Sequence, residues 1–127
     1  MIADQGIGTE DTAPALDLMP TQLTSQDQIE ALIAKAGPTW LFKHSNTCGI
    51  SAAALAQVDN YLAAHPSDGS GMVVVQESRP LSSWISSRLR YVHQSPQLFL
   101  LRDGKVVWSA SHWAISAEAM AEATAPA

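Results

Sequence analysis

The chain is poor in the residues that would commit it to several common chemistries. It has one cysteine, Cys48, in 127 residues. No internal disulfide can form, which fits a reducing compartment. The four histidines and the cysteine fall at no zinc spacing, so no metal site is expected. Seven Lys and Arg face twelve Asp and Glu, for a net charge of −5, and no basic cluster occurs. That argues against a nucleic-acid partner. No apolar run approaches the roughly 20 residues of a membrane span. The acidic start, residues 1–11 with Asp4, Glu10 and Asp11, lacks the apolar stretch of a secretory signal. The expectation is a soluble cytoplasmic protein with no membrane partner.

What is present fits one domain with a real core. Residues 1–20 are dominated by Gly, Asp, Thr, Pro and Ala and read as a flexible tail, leaving a folded domain over 21–124. Ser25 with Gln28 forms a capping box. Ile29, Leu32, Ile33 and Ala36 then recur at helical spacing until Gly37-Pro38 stops the helix. Thr39 to His44 reads as a strand covered on both faces. A helix opening at Cys48 carries Ile50, Ala54, Val58, Tyr61 and Leu62 on one side and ends before Pro66. Ser67–Gly71 reads as a loop and Met72–Gln76 as a second buried strand, completing a right-handed βαβ unit.

Pro80 suits the first position of a further helix, whose stripe is Leu81, Trp84, Ile85 and Leu89 with Arg88 on its margin. Asp103-Gly104 joins the runs Gln97–Arg102 and Lys105–Ala110 as a hairpin. Ser116 caps a last short helix, with Glu118 in its first turn. No internal repeat occurs. The order α, βαβ, α, ββ, α is that of the thioredoxin-like α/β fold with a mixed central sheet. In that fold Ser95-Pro96 comes close to Cys48, although half the chain separates them.

The chemistry concentrates at Cys48. A helix N-terminus presents unpaired N–H groups and the positive end of the helix dipole, which favours thiolate, the attacking form of sulfur. Cys48-Gly49-Ile50-Ser51 has the frame of a C-x-x-C motif with the second sulfur replaced by a hydroxyl. Ser51, one turn on, can hydrogen-bond the sulfur but cannot resolve a mixed disulfide, so a second thiol must come from elsewhere. Thr47 is read as the helix cap, with its hydroxyl beside the sulfur.

Three blocks of this chain resemble the monothiol bacilliredoxins (the YtxJ-like family). They are Lys43-His-Ser-Asn-Thr-Cys-Gly-Ile-Ser-Ala-Ala53, Gln76-Glu-Ser-Arg-Pro-Leu-Ser82, and Ser95-Pro-Gln-Leu-Phe99 followed by Gly104–Trp113. The resemblance spans about Leu23 to Ala119. It implies a thioredoxin fold and a role in bacillithiol redox chemistry, with Cys48 as the single active cysteine. No bound cofactor is implied; bacillithiol acts as thiol co-substrate, and the partners are bacillithiolated client proteins. Gly49 departs from the family pattern, where proline commonly follows the cysteine.

The remaining candidates support Cys48. The fold analogy favours a cis bond at Ser95–Pro96, which would expose the Ser95 backbone to an extended thiol substrate. His44 is read as a structural hydrogen-bonding group with a possible electrostatic role. Arg79 is a candidate contact for the carboxylates of bacillithiol or glutathione, because an arginine fork pairs with carboxylates. His112 and Trp113 are read as packing and hydrogen-bonding residues away from the reactive face. The leading function is a monothiol thiol–disulfide oxidoreductase. Cys-Gly-Ile-Ser also resembles the motif of monothiol glutaredoxins that carry an iron–sulfur cluster, which is the alternative. A redox-inert binding module is the third reading.

Overall fold

The computed structural model describes residues 20–125. The tail expected over residues 1–20 therefore lies, Pro20 apart, outside the described residues. Among the described residues, four helices and four strands follow in the expected order. Helix α1 spans Gln26–Ile33, β1 Thr39–His44, α2 Gly49–Ala64, β2 Gly69–Val74 and α3 Arg79–Leu89. Strands β3, Gln97–Arg102, and β4, Lys105–Ser111, precede a short 3₁₀ turn at His112–Ala114 and helix α4 at Ala117–Thr124. The sheet order is β2-β1-β3-β4, with β1 parallel to β2 and antiparallel to β3. This is a thioredoxin-like α/β fold.

Local chemistry accounts for most of the boundaries. Ser25 Oγ accepts from the Gln28 N–H at 3.2 Å, and Gln28 Oε1 accepts from the Ser25 N–H at 3.2 Å, which completes the capping box. Helix α1 ends at Ile33, short of Ala36, which is exposed. In the β3–β4 turn, Asp103 and Gly104 have φ of 53° and 81°, the left-handed pair that a tight hairpin requires. Ser116 Oγ accepts from the Ala119 N–H at 3.0 Å and caps α4.

Strand β2 is a correction. It begins at Gly69, three residues before the expected start, and ends at Val74. The glycines that read as loop punctuation serve close packing instead. A Cβ on Gly71 would lie 2.5 Å from Leu23 Cδ1 and 3.0 Å from Leu32 Cδ2, so α1 and the entering chain sit directly on the strand backbone. Leu23 N–H donates to Met72 O at 2.7 Å, and Met72 N–H to Thr21 O at 2.8 Å, which ties that entering segment to the strand edge.

The sheet divides the core into two layers. Leu41, Val73, Phe99 and Leu101 pack against Ile29, Leu32 and Ile33 of α1 and Leu81 and Ile85 of α3. Trp40, Phe42, Leu98 and Leu100 pack against Ala54, Val58, Tyr61 and Leu62 of α2 and Met120 of α4. Each of the larger aliphatic and phenyl side chains among them contributes about 1.5–3 kcal/mol of hydrophobic transfer free energy. Alternation along β1 places Lys43 on the α1/α3 side with Leu41, and His44 on the α2/α4 side with Phe42. Among the described residues, no helix is long and apolar enough to cross a membrane.

Candidate active site

Three chain segments meet at one end of the sheet. Strand β1 ends at His44 and runs through Ser45, Asn46 and Thr47 into Cys48. Parallel β2 ends beside it, where Val75 N–H donates to His44 O at 2.8 Å. Antiparallel β3 begins there, with Gln97 opposite Lys43. The Ser95–Pro96 bond immediately before Gln97 is cis, the isomer expected. The fold thus carries Ser95 and Pro96 to the end of the sheet from which the Cys48 turn departs.

Cys48 itself is the N-cap of α2, with extended φ/ψ of −118° and 124°. This corrects the reading of Thr47 as the cap. Thr47 lies one residue before the cap, and its hydroxyl accepts from Gln76 Nε2 at 3.0 Å. The Cys48 side chain makes no capping hydrogen bond. Its thiol is free and partly exposed. The N–H groups of the first α2 turn point toward the N-terminal end, where an anionic sulfur is favoured. Gly49, the first helical residue, has open space where a side chain would stand.

Ser51 departs from its expected use. The residue is fully buried, and its hydroxyl accepts from the Ser45 N–H at 2.9 Å and meets His44 Nδ1 at 2.8 Å. Both bonds run back to the end of β1 rather than to the sulfur. Ser51 therefore anchors the turn that carries Cys48. His44 is buried to 8% exposure, and burial lowers its pKa below the ordinary histidine value. A neutral ring accepts the Ser51 proton at Nδ1 when Nε2 carries its own.

Gln76, read in sequence as the end of the second strand and within a family block, lies in the turn after β2 and clamps the Cys48 turn from there. Its Nε2 donates to Ser45 Oγ at 2.6 Å, and its Oε1 accepts from the Asn46 N–H at 3.1 Å. Every polar residue from Ser45 to Thr47 is thus held by a partner outside the turn.

His112 and Trp113 are also corrected. The His112 N–H donates to Pro96 O at 3.1 Å, so the 3₁₀ turn is tied to the cis-proline. His112 and Trp113 line a cleft of about 280 Å³ with Ile50, Ala53, Ala54, Gln57, Ile115 and Ser116. Ile50 is two residues from Cys48, and Trp113 is 73% exposed. These residues border the reactive end. The contact with Pro96 that places them there joins distant parts of the chain and has no local sequence signal.

On the opposite face of β1 lies a second polar group. Lys43 is fully buried, and its Nζ lies 2.7 Å from His93 Nδ1, 3.1 Å from Ser86 Oγ and 3.4 Å from Ser82 O. Burial pushes its ammonium down to about 8. His93, also lowered, is disfavoured as a cation by burial first, and then by the charges of Lys43 and Arg79. Arg79 begins α3 and lines a cleft of about 190 Å³ with Val75, Ser82, Ser83 and His93. A sequence signal for this cluster existed: Lys43 is the one cation in a strand read as covered on both sides. Among the described residues, no three His, Cys, Asp or Glu side chains converge as a metal site would require.

Comparison with known proteins agrees with this architecture. The family model described as monothiol bacilliredoxin BrxC matches residues 21–120. A solved structure described as a candidate oxidoreductase with a thioredoxin fold is 34% identical, with a TM-score of 0.77 over 81% of this chain and 91% of that one. Oxidised mitochondrial thioredoxin 3 from Saccharomyces cerevisiae superposes with a TM-score of 0.67 at 17% identity, over 82% of this chain and 92% of its own. Plasmodium falciparum thioredoxin gives 0.65 at 14% identity, over 80% and 93%. The last two speak for the fold alone.

Proposed function

We propose that this chain, which belongs to the monothiol bacilliredoxin family, removes a low-molecular-weight thiol from protein mixed disulfides through Cys48. The observation that carries the reading is a lone, partly exposed thiol at the start of α2, with no second cysteine in the chain. Such a site can exchange disulfides but cannot close one internally.

The Cys48 thiolate attacks the small-thiol sulfur of a mixed disulfide. A Cys48–small-thiol disulfide forms, and the client's sulfur departs as thiolate with the electron pair of the broken bond. A second small-thiol thiolate then attacks that disulfide, which frees Cys48 and yields the symmetrical small disulfide. One free small thiol is consumed for each client thiol released: the mixed disulfide is reduced, the small disulfide forms in its place, and Cys48 ends as it began, with bacillithiol the expected co-substrate. The helix N-terminus favours the anionic sulfur in each step. The cleft bordered by Ile50, His112 and Trp113 is the proposed client side, where an exposed indole offers a large apolar contact beside the reacting sulfurs.

The test is a client protein carrying bacillithiol on one cysteine, incubated with the full chain and excess bacillithiol and followed by intact mass. Loss of the client adduct, with transient gain of one bacillithiol on Cys48, is expected. Cys48→Ser should show neither. A client adduct that persists while Cys48 still alkylates normally would exclude the activity.

A further inference from the structure

The cleft between the start of α3 and the segment leading into Pro96 has the Arg79 guanidinium in its lining and the Lys43 ammonium behind it, with no acidic side chain among its lining residues. Arg79 and His93 line it with the hydroxyl-bearing Ser82 and Ser83, and Lys43 Nζ lies behind His93 at 2.7 Å. Among the described residues, the one ion pair joins Arg88 to Glu30. Arg79 makes no side-chain hydrogen bond among them either, so its planar fork of donors is unspent. Lys43 spends its own donors on Ser82 O, Ser86 Oγ and His93 Nδ1. It contributes charge and orientation. By donating to Nδ1 it leaves the His93 ring proton on Nε2, as a further donor for the cleft.

The cleft adjoins the reactive turn through two consecutive residues. Val75 lines it, and Gln76 holds Ser45, Asn46 and Thr47. It also lies on the α3 side of β1, across the sheet from the Trp113 cleft. A fork of guanidinium N–H groups, an imidazole N–H and serine hydroxyls over a buried ammonium is a donor set for carboxylate oxygens. A volume of about 190 Å³ is on the scale of a small dicarboxylate.

We infer that the Arg79–His93 cleft is a carboxylate subsite that takes the dicarboxylate end of the small thiol while its sulfur faces Cys48. The inference rests on the proposed exchange activity and adds a specificity site to it. The leaving client and the retained small thiol then occupy opposite sides of β1. Recognition of the small thiol depends on its carboxylates as well as its sulfur.

The experiment compares two disulfides on the full chain: bacillithiol disulfide, which carries carboxylates, and 2-hydroxyethyl disulfide, which carries none. Rate constants for adduct formation on Cys48 are read by intact mass. In Arg79→Gln and in His93→Ala the ratio of the two constants should fall about ten-fold, the scale of one hydrogen bond to a charged group. Lys105→Gln removes one positive charge at the far end of the sheet and should leave the ratio unchanged. An unaltered ratio in Arg79→Gln, or an equal fall in Lys105→Gln, overturns the subsite. If the wild type reacts with iodoacetamide but forms no adduct with either disulfide, the exchange activity fails instead. A malate titration followed by amide NMR then judges the cleft by itself. Shifts at Ser82, Ser83 and His93 that disappear in Arg79→Gln support a dicarboxylate site, and their absence overturns it.

Discussion

The Ser51 hydroxyl lies 2.8 Å from Nδ1 of His44 and accepts the Ser45 N–H at 2.9 Å, joining the first turn of α2 to the end of β1. The serine of the Cys-x-x-Ser frame is therefore a buried joint of the Cys48 turn. Its removal leaves a buried N–H and a buried imidazole nitrogen unpaired. Ser51→Ala should lower stability by about 1–3 kcal/mol, read from urea unfolding. A loss below a few tenths would mean that the joint is not what holds the turn.

Gly49 offers a gain. Its Cβ position is open, it is the first residue of α2, and Cys48 before it is already extended at φ −118° and ψ 124°. Proline fits the first helical position, and extended geometry is what a residue before proline requires. Gly49→Pro should raise stability by about 0.4–1 kcal/mol by restricting the unfolded chain. A lower melting temperature would show that the Gly49 N–H has a partner that matters.

Lys43 predicts an alkaline gain. Its folded pKa of about 8 lies below the ordinary 10.5. Below about pH 8 both folded and unfolded chains hold the proton, and between about 8 and 10.5 only the unfolded chain does. The wild type should therefore gain stability with rising pH through that window, relative to Lys43→Met. The full gain is on the order of 3 kcal/mol. Urea unfolding of both proteins at about pH 7.5 and about pH 10 reads the difference. A constant difference would mean that the ammonium is solvated in the folded state.

His44 and His93 predict an acid loss. Both folded values lie below the ordinary 6.5, through burial at His44 and through burial and then the neighbouring cations at His93. The stability they confer is present above about 6.5 and is lost as pH falls through the lower folded values. The melting temperature should drop as the pH is lowered below that point. His44→Gln and His93→Gln should each flatten the drop, whatever their effect at neutral pH. A fall of the same size in both variants would assign it to the carboxylates instead.

Much of this was legible in residues whose meaning is local. Cys48 before a helical stripe, Asp103-Gly104 between two apolar runs, and Ser25 with Gln28 each act within a few positions. The structure places an element where each was read. Their order carried the fold class. The cis-proline was reached through that order, because only the sheet topology makes the bond before Gln97 a neighbour of the β1 end.

Tertiary structure decided what local signals could not. Gly69–Gly71 reads as a loop until Leu23 and Leu32 are seen to need the missing Cβ. Thr47 is the cap that residue type favours, yet α2 starts from Cys48, and Gln76, 29 residues away, holds the Thr47 hydroxyl outside the helix. Ser51 turns to His44 because burial leaves its hydroxyl no water and offers the β1 end instead. His112 reaches Pro96, and Lys43 reaches His93, across separations of 16 and 50 residues, by contacts that exist only once the sheet has formed. The sequence by itself determined the order of elements and the single reactive sulfur, because those follow from short-range periodicity and residue type. Which side chains surround that sulfur was settled by packing, since hydrogen bonds between distant residues leave no periodic trace in the chain.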